Sequence, residues 1–135
     1  MPIEQIISPD VAEPAAGMWS NCLRVGDTVY VSGLTARDKS QQAAGGNEYE
    51  QANLVFKRMA ALVKAAGGSM DDVVKLNIYL TNIGNREQVW RARREHFTGA
   101  FPACTLVEVS KLAPGIDVEI EAVAILNQGG RPAAT

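Results

Sequence analysis

The chain has 135 residues and a formal net charge of −2 at pH 7; 47% of its residues are hydrophobic and 21% are charged. These values favour a single domain, residues 1–135, without the basic excess of a nucleic-acid-binding protein. The apolar runs are shorter than the roughly 18 residues of a membrane span, and the first residues do not resemble a signal peptide. We therefore predict a cytoplasmic protein that binds neither nucleic acid nor membranes.

Disulfide formation and metal binding are both disfavoured by the residues available for them. The two cysteines, Cys22 and Cys104, are far apart in sequence and fit no CxxC or metal-ligand spacing. Because His96 is the single histidine, a zinc or iron site held by protein side chains is not expected. We predict reduced thiols and no cofactor.

The first elements in chain order are an arm and a hairpin. Residues 8–14 form a polar, proline-marked lead-in, which we predict to be irregular. Two β-rich runs, residues 22–25 and 28–32, flank a Gly-Asp pair and are typical of a β-hairpin with a two-residue turn. Residues 37–47 are rich in Gln, Ala, Gly and charged side chains, and we expect a mobile loop there.

The clearest helix follows over residues 48–66. Its apolar side chains recur at helical spacing and form one stripe. Gly67 and Gly68 then predict the end of the helix, because glycine readily adopts the left-handed backbone conformation that terminates helices. Residues 73–80 alternate in a way that is typical of a strand with one strongly apolar face.

A second helix and two strands complete the chain. The helix begins near Asn85, a good N-cap residue, with Gln88 three residues later as its reciprocal capping partner, and it ends near Phe97. The strands are expected over about residues 104–109 and 117–126.

The element order β-β-α-β-α-β-β predicts the α+β class, with one mixed sheet and two helices on one face. The core spans about residues 17–126, and residues 127–135 are expected to form a flexible tail. The last strand leaves a second face that is half apolar and carries Glu119, Glu121 and Val123. We expect this face to pack against another subunit, which predicts a homo-oligomer with sites between protomers.

Several short motifs, in order and at the expected spacing, resemble the RidA/YjgF/UK114 family. They are TVYVSG at residues 28–33, AAGGSMDDVVK at 65–75, IYLT at 78–81, FPA at 101–103, VEV at 107–109 and VEIEA at 118–122. The resemblance extends from about residue 17 to residue 125. It implies a chorismate-mutase-like subunit and a homotrimer with three clefts at the subunit interfaces. It also implies hydrolysis of reactive enamines and imines, such as 2-aminoacrylate, to keto acids and ammonia.

The resemblance also shows where this chain departs from the family. Deaminating members carry an arginine directly after the Pro-Ala, where it clamps the substrate carboxylate with two hydrogen bonds; this chain has Cys104. A thiol cannot form that clamp, and its loss costs on the order of 2–5 kcal/mol of binding. Trp19 corresponds to an aromatic residue of the family, and Trp90 corresponds to a cleft asparagine. Three positions keep the family's residue: Ser32, Gly33 and Glu119.

We predict two catalytic residues, Cys104 and Glu119. Cys104, at the entry to a strand, is either a small hydrophobic filler or a thiol that contacts the reacting centre. Glu119, at a subunit seam, is the candidate for positioning a water at a C=N bond, with a pKa raised by burial. The alternative for Glu119 is a solvated or ion-paired strand carboxylate. Glu121 is expected to be structural.

The predicted substrate-binding residues are Trp19, Ser32, Gly33, Trp90 and Leu106. The two tryptophans either stack on a flat ligand or fill the interface. The backbone at Ser32 and Gly33 either presents N–H groups to an anion or is an ordinary strand end.

The second predicted helix carries a basic cluster, Arg91, Arg93 and Arg94. Such a cluster is typical of a solvated face; the alternative is that one arginine enters the cleft in place of the missing one. His96, on the same helix, is expected to be a surface or core residue.

The leading hypothesis for function is a RidA-like hydrolase or deaminase that acts on a small imine, enamine or related electrophilic metabolite at a subunit-interface cleft. The alternative is a non-catalytic trimer that binds a small metabolite or a protein partner. Ribonuclease, a label often attached to this family, is disfavoured by the acidic balance of the chain.

Overall fold

The computed structural model describes residues 2–135 and contains one six-stranded sheet and two α-helices. The strands are β1 Ile3–Gln5, β2 Cys22–Val25, β3 Thr28–Thr35, β4 Val73–Leu80, β5 Ala103–Glu108 and β6 Val118–Ile125; the helices are α1 Glu48–Ala65 and α2 Arg86–His96. The strand order is β1-β2-β3-β6-β4-β5, with β4 and β5 parallel and every other pair antiparallel. This arrangement confirms the predicted α+β class with its mixed sheet.

The core lies between the helices and one face of the sheet. Leu76 and Ile78 of β4 are fully buried, and their register partners on β6, Ala122 and Ile120, point to the same face. The apolar stripe of α1 packs on this face, with Phe56 as one of its fully buried side chains. Because strand side chains alternate, residues between these positions point to the opposite face, which the helices leave open.

The ends of α1 follow the signals in the sequence. The Asn47 side chain accepts a hydrogen bond from the Glu50 backbone N (2.9 Å), and the Glu50 carboxylate accepts one from the Asn47 backbone N (3.2 Å). This capping box satisfies two amide groups that the helix itself leaves unpaired. At the other end, Gly67 adopts a φ of +102°, which confirms the predicted left-handed stop.

Gly68 allows a close approach between α1 and the end of β6. A Cβ atom at this position would overlap Leu126 and lie 2.7 Å from the Asp72 carboxylate, which accepts a hydrogen bond from the Ser69 backbone N. We expect Gly68→Ala to lower the free energy of unfolding by about 1–3 kcal/mol, because a buried leucine and a capping carboxylate must both move. Urea denaturation measures this change.

Gly129→Ala is a control for the Gly68 substitution, because a Cβ at Gly129 meets nothing within 4 Å. Its φ of +80° adds only the backbone strain of a left-handed alanine, about 1 kcal/mol. Equal stability losses for the two variants would contradict an overlap at Gly68.

Two features at the ends of elements differ from the prediction. β1, over Ile3–Gln5, is an additional edge strand paired with β2, whereas no strand is predicted before residue 22. The predicted capping box of the second helix is wrong: Asn85 precedes α2 but makes no side-chain capping bond. Its amide donates to Glu48, and the Gln88 side chain accepts from the Tyr49 backbone N. Both side chains are thus used to join α2 to α1.

The tail after β6 contacts the body of the domain through Arg131. The guanidinium donates to the backbone carbonyls of Ala100 (2.6 Å) and Met70 (2.7 Å), and it lies 5.3 Å from the centre of the Phe97 ring. The Arg131 backbone N also donates to the Asp71 carbonyl (3.0 Å). These bonds hold the middle of the segment that the sequence predicts to be flexible.

Candidate functional site

Glu119 lies on the open face of the sheet, directly against Gly33. Its register partners are Thr35 on β3 and Tyr79 on β4. A Cβ atom at Gly33 would lie only 2.7 Å from Glu119 Oε2, so a residue without a side chain is required for the carboxylate to take this position. The structure therefore brings together two of the residues that the family pattern singled out.

The surroundings of Glu119 favour its protonated form. Burial raises the pKa of the Glu119 carboxyl, the nearby Glu121 carboxylate raises it further, and Arg37 opposes both effects. A carboxylate with a raised pKa is a stronger proton acceptor than a solvated one. Glu121 is itself engaged within the sheet, because it accepts hydrogen bonds from Asn77 (3.1 Å) and from the Tyr79 hydroxyl (2.8 Å).

A small recess lies at the end of β3, beside Glu119, with a volume of about 50 Å³. Its wall includes Trp19, Gly33 and Thr35, together with two arginines, Arg37 and Arg58. Trp19 remains 50% exposed. A further predicted residue, Trp19, thus shares this recess with Gly33.

Sequence reasoning missed both arginines of this recess. Arg37 begins the segment that the sequence predicts to be a mobile loop, and Arg58 lies on α1 between apolar core positions. The Arg58 guanidinium donates to the Thr35 carbonyl (3.2 Å), and burial lowers its pKa. Neither position carries a local sequence signal, because only the packing of α1 across the end of β3 brings them together.

Ser32 is held by hydrogen bonds inside the protomer. Its backbone N donates to the Asn21 carbonyl (2.9 Å), and its hydroxyl donates to the Ser20 carbonyl. Binding of an anion by the Ser32 N–H would require that the first of these bonds break. The bonds fix the segment before β2 against β3, and that segment carries Trp19.

Cys104 and Leu106 lie on the other face of the sheet from Glu119. In the parallel pair, Cys104 is the register partner of Leu76 and Leu106 that of Ile78, so both point toward the helix-covered face. Both are half-buried and pack against the core. Glu119 pairs with Tyr79, one residue out of phase with Ile78, and points to the open face. The two predicted catalytic residues are therefore separated by the sheet within one protomer.

The outer side of α2 carries Trp90, which is half-buried. Guanidinium groups lie 5.5 Å (Arg86) and 6.0 Å (Arg93) from its ring centre. The Arg93 Nε atom is buried and has no hydrogen-bond partner within residues 2–135. Trp90 is therefore placed in a cationic environment and not in an apolar one.

The remaining predicted basic residues of α2 make contacts inside the protomer. Arg91 stacks on the Tyr49 ring, 3.7 Å from its centre, and Arg94 pairs with Glu87 at 2.6 Å. His96 Nε2 is 2.6 Å from Asn53 Oδ1, and burial lowers the His96 pKa. These residues join α2 to α1 or lie at its surface.

Within residues 2–135, no group of three His, Cys, Asp or Glu side chains is arranged to hold a metal ion. None of the helices in the same residues has the length and apolar character needed to cross a membrane.

Comparisons with known proteins agree with the geometry. A family model described as Endoribonuclease L-PSP matches residues 10–126. A human protein named 2-iminobutanoate/2-iminopropanoate deaminase is 36% identical over 124 residues, which is 91% of this chain and 90% of the human one. RidA from an Antarctic Psychrobacter has a TM-score of 0.83 at 34% identity, covering 91% of this chain and 99% of RidA. A protein of unknown function from Pseudomonas aeruginosa has a TM-score of 0.86 at 36% identity, covering 99% and 98%.

Proposed function

The chain belongs to the RidA family of imine deaminases and related proteins, and from this premise we propose that it hydrolyses the C=N bond of a small imine. The observation that carries the proposal is the Glu119 carboxylate, half-buried against Gly33 with a raised pKa. Such a group accepts a proton from water near neutral pH more readily than a solvated carboxylate does.

The reaction follows from this arrangement. Glu119 takes a proton from a water molecule as the water oxygen forms a bond to the imine carbon. The C=N double bond becomes a C–N single bond, and the nitrogen takes up a proton from solvent. The proton on Glu119 then passes to the amine nitrogen and ammonia leaves as the C–N bond breaks. The carbinol hydroxyl releases its proton to solvent as the carbon becomes a carbonyl. One water is consumed, and no oxidant, reductant or cofactor is needed.

A complete site requires more than one protomer in this proposal. Cys104 and Glu119 point to opposite faces of the sheet, so one protomer cannot present both to one substrate. The open face keeps apolar side chains uncovered, with Tyr30 52% and Val107 41% exposed. Cys104 and Leu106 lie on β5, the edge strand of the sheet. In the proposed homotrimer this edge packs against the open face of a neighbour, so that Cys104, Leu106 and Trp90 of one protomer meet the Glu119 of the next. In that cleft the Cys104 sulfur contacts the reacting centre.

Ammonia release from imines generated in situ by an amino-acid oxidase tests the proposal. We expect the wild-type protein to accelerate the release and Cys104→Arg to raise the rate on the 2-imino acid that forms from 2-aminoacrylate, because a guanidinium at this position clamps the carboxylate. We expect Cys104→Ala to lower the rate if the sulfur contacts the reacting centre. Full activity of Cys104→Ala would remove the thiol from the mechanism, and no release by wild type would overturn the proposal.

The second candidate is a trimer that binds the same class of metabolite without turnover. The observation that favours it is the thiol at position 104, where deaminating relatives are expected to hold a guanidinium. This candidate predicts ligand-dependent protection of the open face from hydrogen exchange, with no ammonia released. The ribonuclease activity in the name of the family model is not part of either proposal, because a net charge of −2 gives the chain no overall electrostatic attraction for RNA.

A further inference from the structure

The recess at the end of β3 contains more positive charge than its protein contacts require. The Arg58 guanidinium has five N–H donors and donates one hydrogen bond, to the Thr35 carbonyl (3.2 Å). The Arg37 side chain makes no hydrogen bond or ion pair with any residue of the described chain, 2–135, although it is half-buried. Both side chains line the same recess. Unused donors on two neighbouring guanidinium groups are typical of an anion site.

The negative groups near the recess do not use these donors. Asp38 also lines it, but its Oδ1 atom accepts hydrogen bonds from the backbone N atoms of Ser40 (2.8 Å) and Gln42 (3.0 Å). Burial and Glu121 raise the pKa of Glu119 while Arg37 opposes them, and burial lowers the pKa of Arg58 while Asp38 opposes it. The Glu119 and Asp38 carboxylates thus act on the arginines electrostatically, but within residues 2–135 neither accepts a hydrogen bond from them. The hydrogen-bond donors of Arg37 and Arg58 are therefore available to a ligand.

We propose that Arg37 and Arg58 bind the carboxylate of the substrate, and that they replace in this chain the clamp that Cys104 cannot form. This inference rests on the proposed imine hydrolysis, and it takes as the ligand a 2-imino acid, the class in the names of the deaminase relatives. In such a compound the C=N carbon is bonded directly to the carboxylate carbon. A carboxylate held in the recess thus places the reacting carbon at the rim, on the side where Glu119 lies against Gly33.

Trp19 also lines the recess and is 50% exposed. Its indole therefore offers an apolar surface to a short alkyl substituent on the imine carbon.

Direct binding separates this inference from turnover. We would measure binding of pyruvate, the product of hydrolysing the three-carbon 2-imino acid, by isothermal titration calorimetry. Pyruvamide, in which an amide replaces the carboxylate, is the uncharged comparison. We expect Arg37→Gln and Arg58→Gln each to weaken pyruvate binding about tenfold to hundredfold, because each removes charge-assisted hydrogen bonds. Pyruvamide should bind weakly to the wild type and be insensitive to either substitution.

Lys39→Gln is the matched control, because it removes an equal charge from the same loop at an exposed position outside the recess. Arg58→Lys keeps the charge and should retain part of the affinity. If Arg58→Gln fails to fold, the Arg37→Gln variant alone tests the inference, because the Arg37 side chain makes no hydrogen bond within the described residues. Unchanged pyruvate affinity in Arg37→Gln, an equal loss in Lys39→Gln, or no pyruvate binding by wild type overturns the inference.

The two proposals fail in different ways. Charge-dependent pyruvate binding without ammonia release would overturn the proposed imine hydrolysis and would support the proposed carboxylate site. Ammonia release with an unchanged KM in both arginine variants would overturn the proposed carboxylate site and would support the proposed imine hydrolysis.

Discussion

Glu119→Gln is expected to lower the rate of imine hydrolysis by about 10²- to 10⁴-fold, the usual contribution of general acid–base catalysis. The amide keeps the size of the side chain and its position against Gly33, but it cannot accept a proton from water. Substrate binding should change little, so the loss should lie in kcat and not in KM. Steady-state ammonia release over a range of imine concentrations measures both constants.

Glu4→Gln is the control for this substitution, because Glu4 lies on the exposed edge strand β1 and is remote from β6 in the sheet order. It should have wild-type activity. A Glu119→Gln variant that keeps its kcat would exclude Glu119 as the proton acceptor and would favour the binding-only alternative.

The same variant should also be more stable than the wild type at neutral pH. The pKa of Glu119 is raised in the folded state above the ordinary value of 4.5, so the folded chain holds this proton more tightly than the unfolded chain does. That advantage is complete below pH 4.5 and is lost as the pH rises through the folded-state pKa. The stability gain of Glu119→Gln should therefore grow between pH 4 and pH 7. A gain that shrinks over this range would mean that the carboxylate is stabilised by the fold.

Long periodic segments explain why so much of the fold was predictable. The apolar stripe of α1 and the alternation of β4 each extend over enough residues to be distinguished from chance, and the structure confirms the stripe and, from Leu76 to Leu80, the alternation. At the start of β4 a register shift buries Val73 and exposes Val74, whereas the alternation predicts Val74 on the apolar face. β1 has only three residues, all exposed, so its pairing with β2 leaves no apolar pattern to detect. The capping box assigned to Asn85 and Gln88 failed because tertiary contacts with α1 compete for the same polar atoms.

The site was predictable only where it depends on local sequence. Glu119 and Gly33 belong to motifs that match a family, and the structure brings them into contact. The orientation of Cys104 was not predictable, because alternation within β5 does not say which set of residues faces the helices; the register with β4 decides it. Arg58 was not predictable either, since its role depends on where α1 crosses the end of β3.

Gln51 is the clearest polar residue that the sequence did not mark, and its loss should be the most costly for stability. It lies on α1, is 1% exposed, and donates from Nε2 to the Gly46 carbonyl (3.0 Å) and to the Asp117 carboxylate (2.9 Å). Its Oε1 atom accepts from the Asp117 backbone N (2.9 Å). These three bonds tie the first turn of α1 to the residue that precedes β6.

Gln51→Leu is expected to lower the free energy of unfolding by about 2–4 kcal/mol, although leucine has a similar volume and similar helix propensity. The cost arises because the backbone N and the carboxylate of half-buried Asp117 lose their hydrogen-bond partners on the buried Gln51 side chain. Chemical denaturation measures it, with Gln42→Leu as a control at an exposed loop position. Gln51→Glu should also be destabilising at pH 7, since it places a second carboxylate against Asp117, and this cost should decrease toward pH 4 as the new carboxyl takes up a proton. If Gln51→Leu unfolds at the wild-type denaturant concentration, the bridge from α1 to β6 does not contribute to stability.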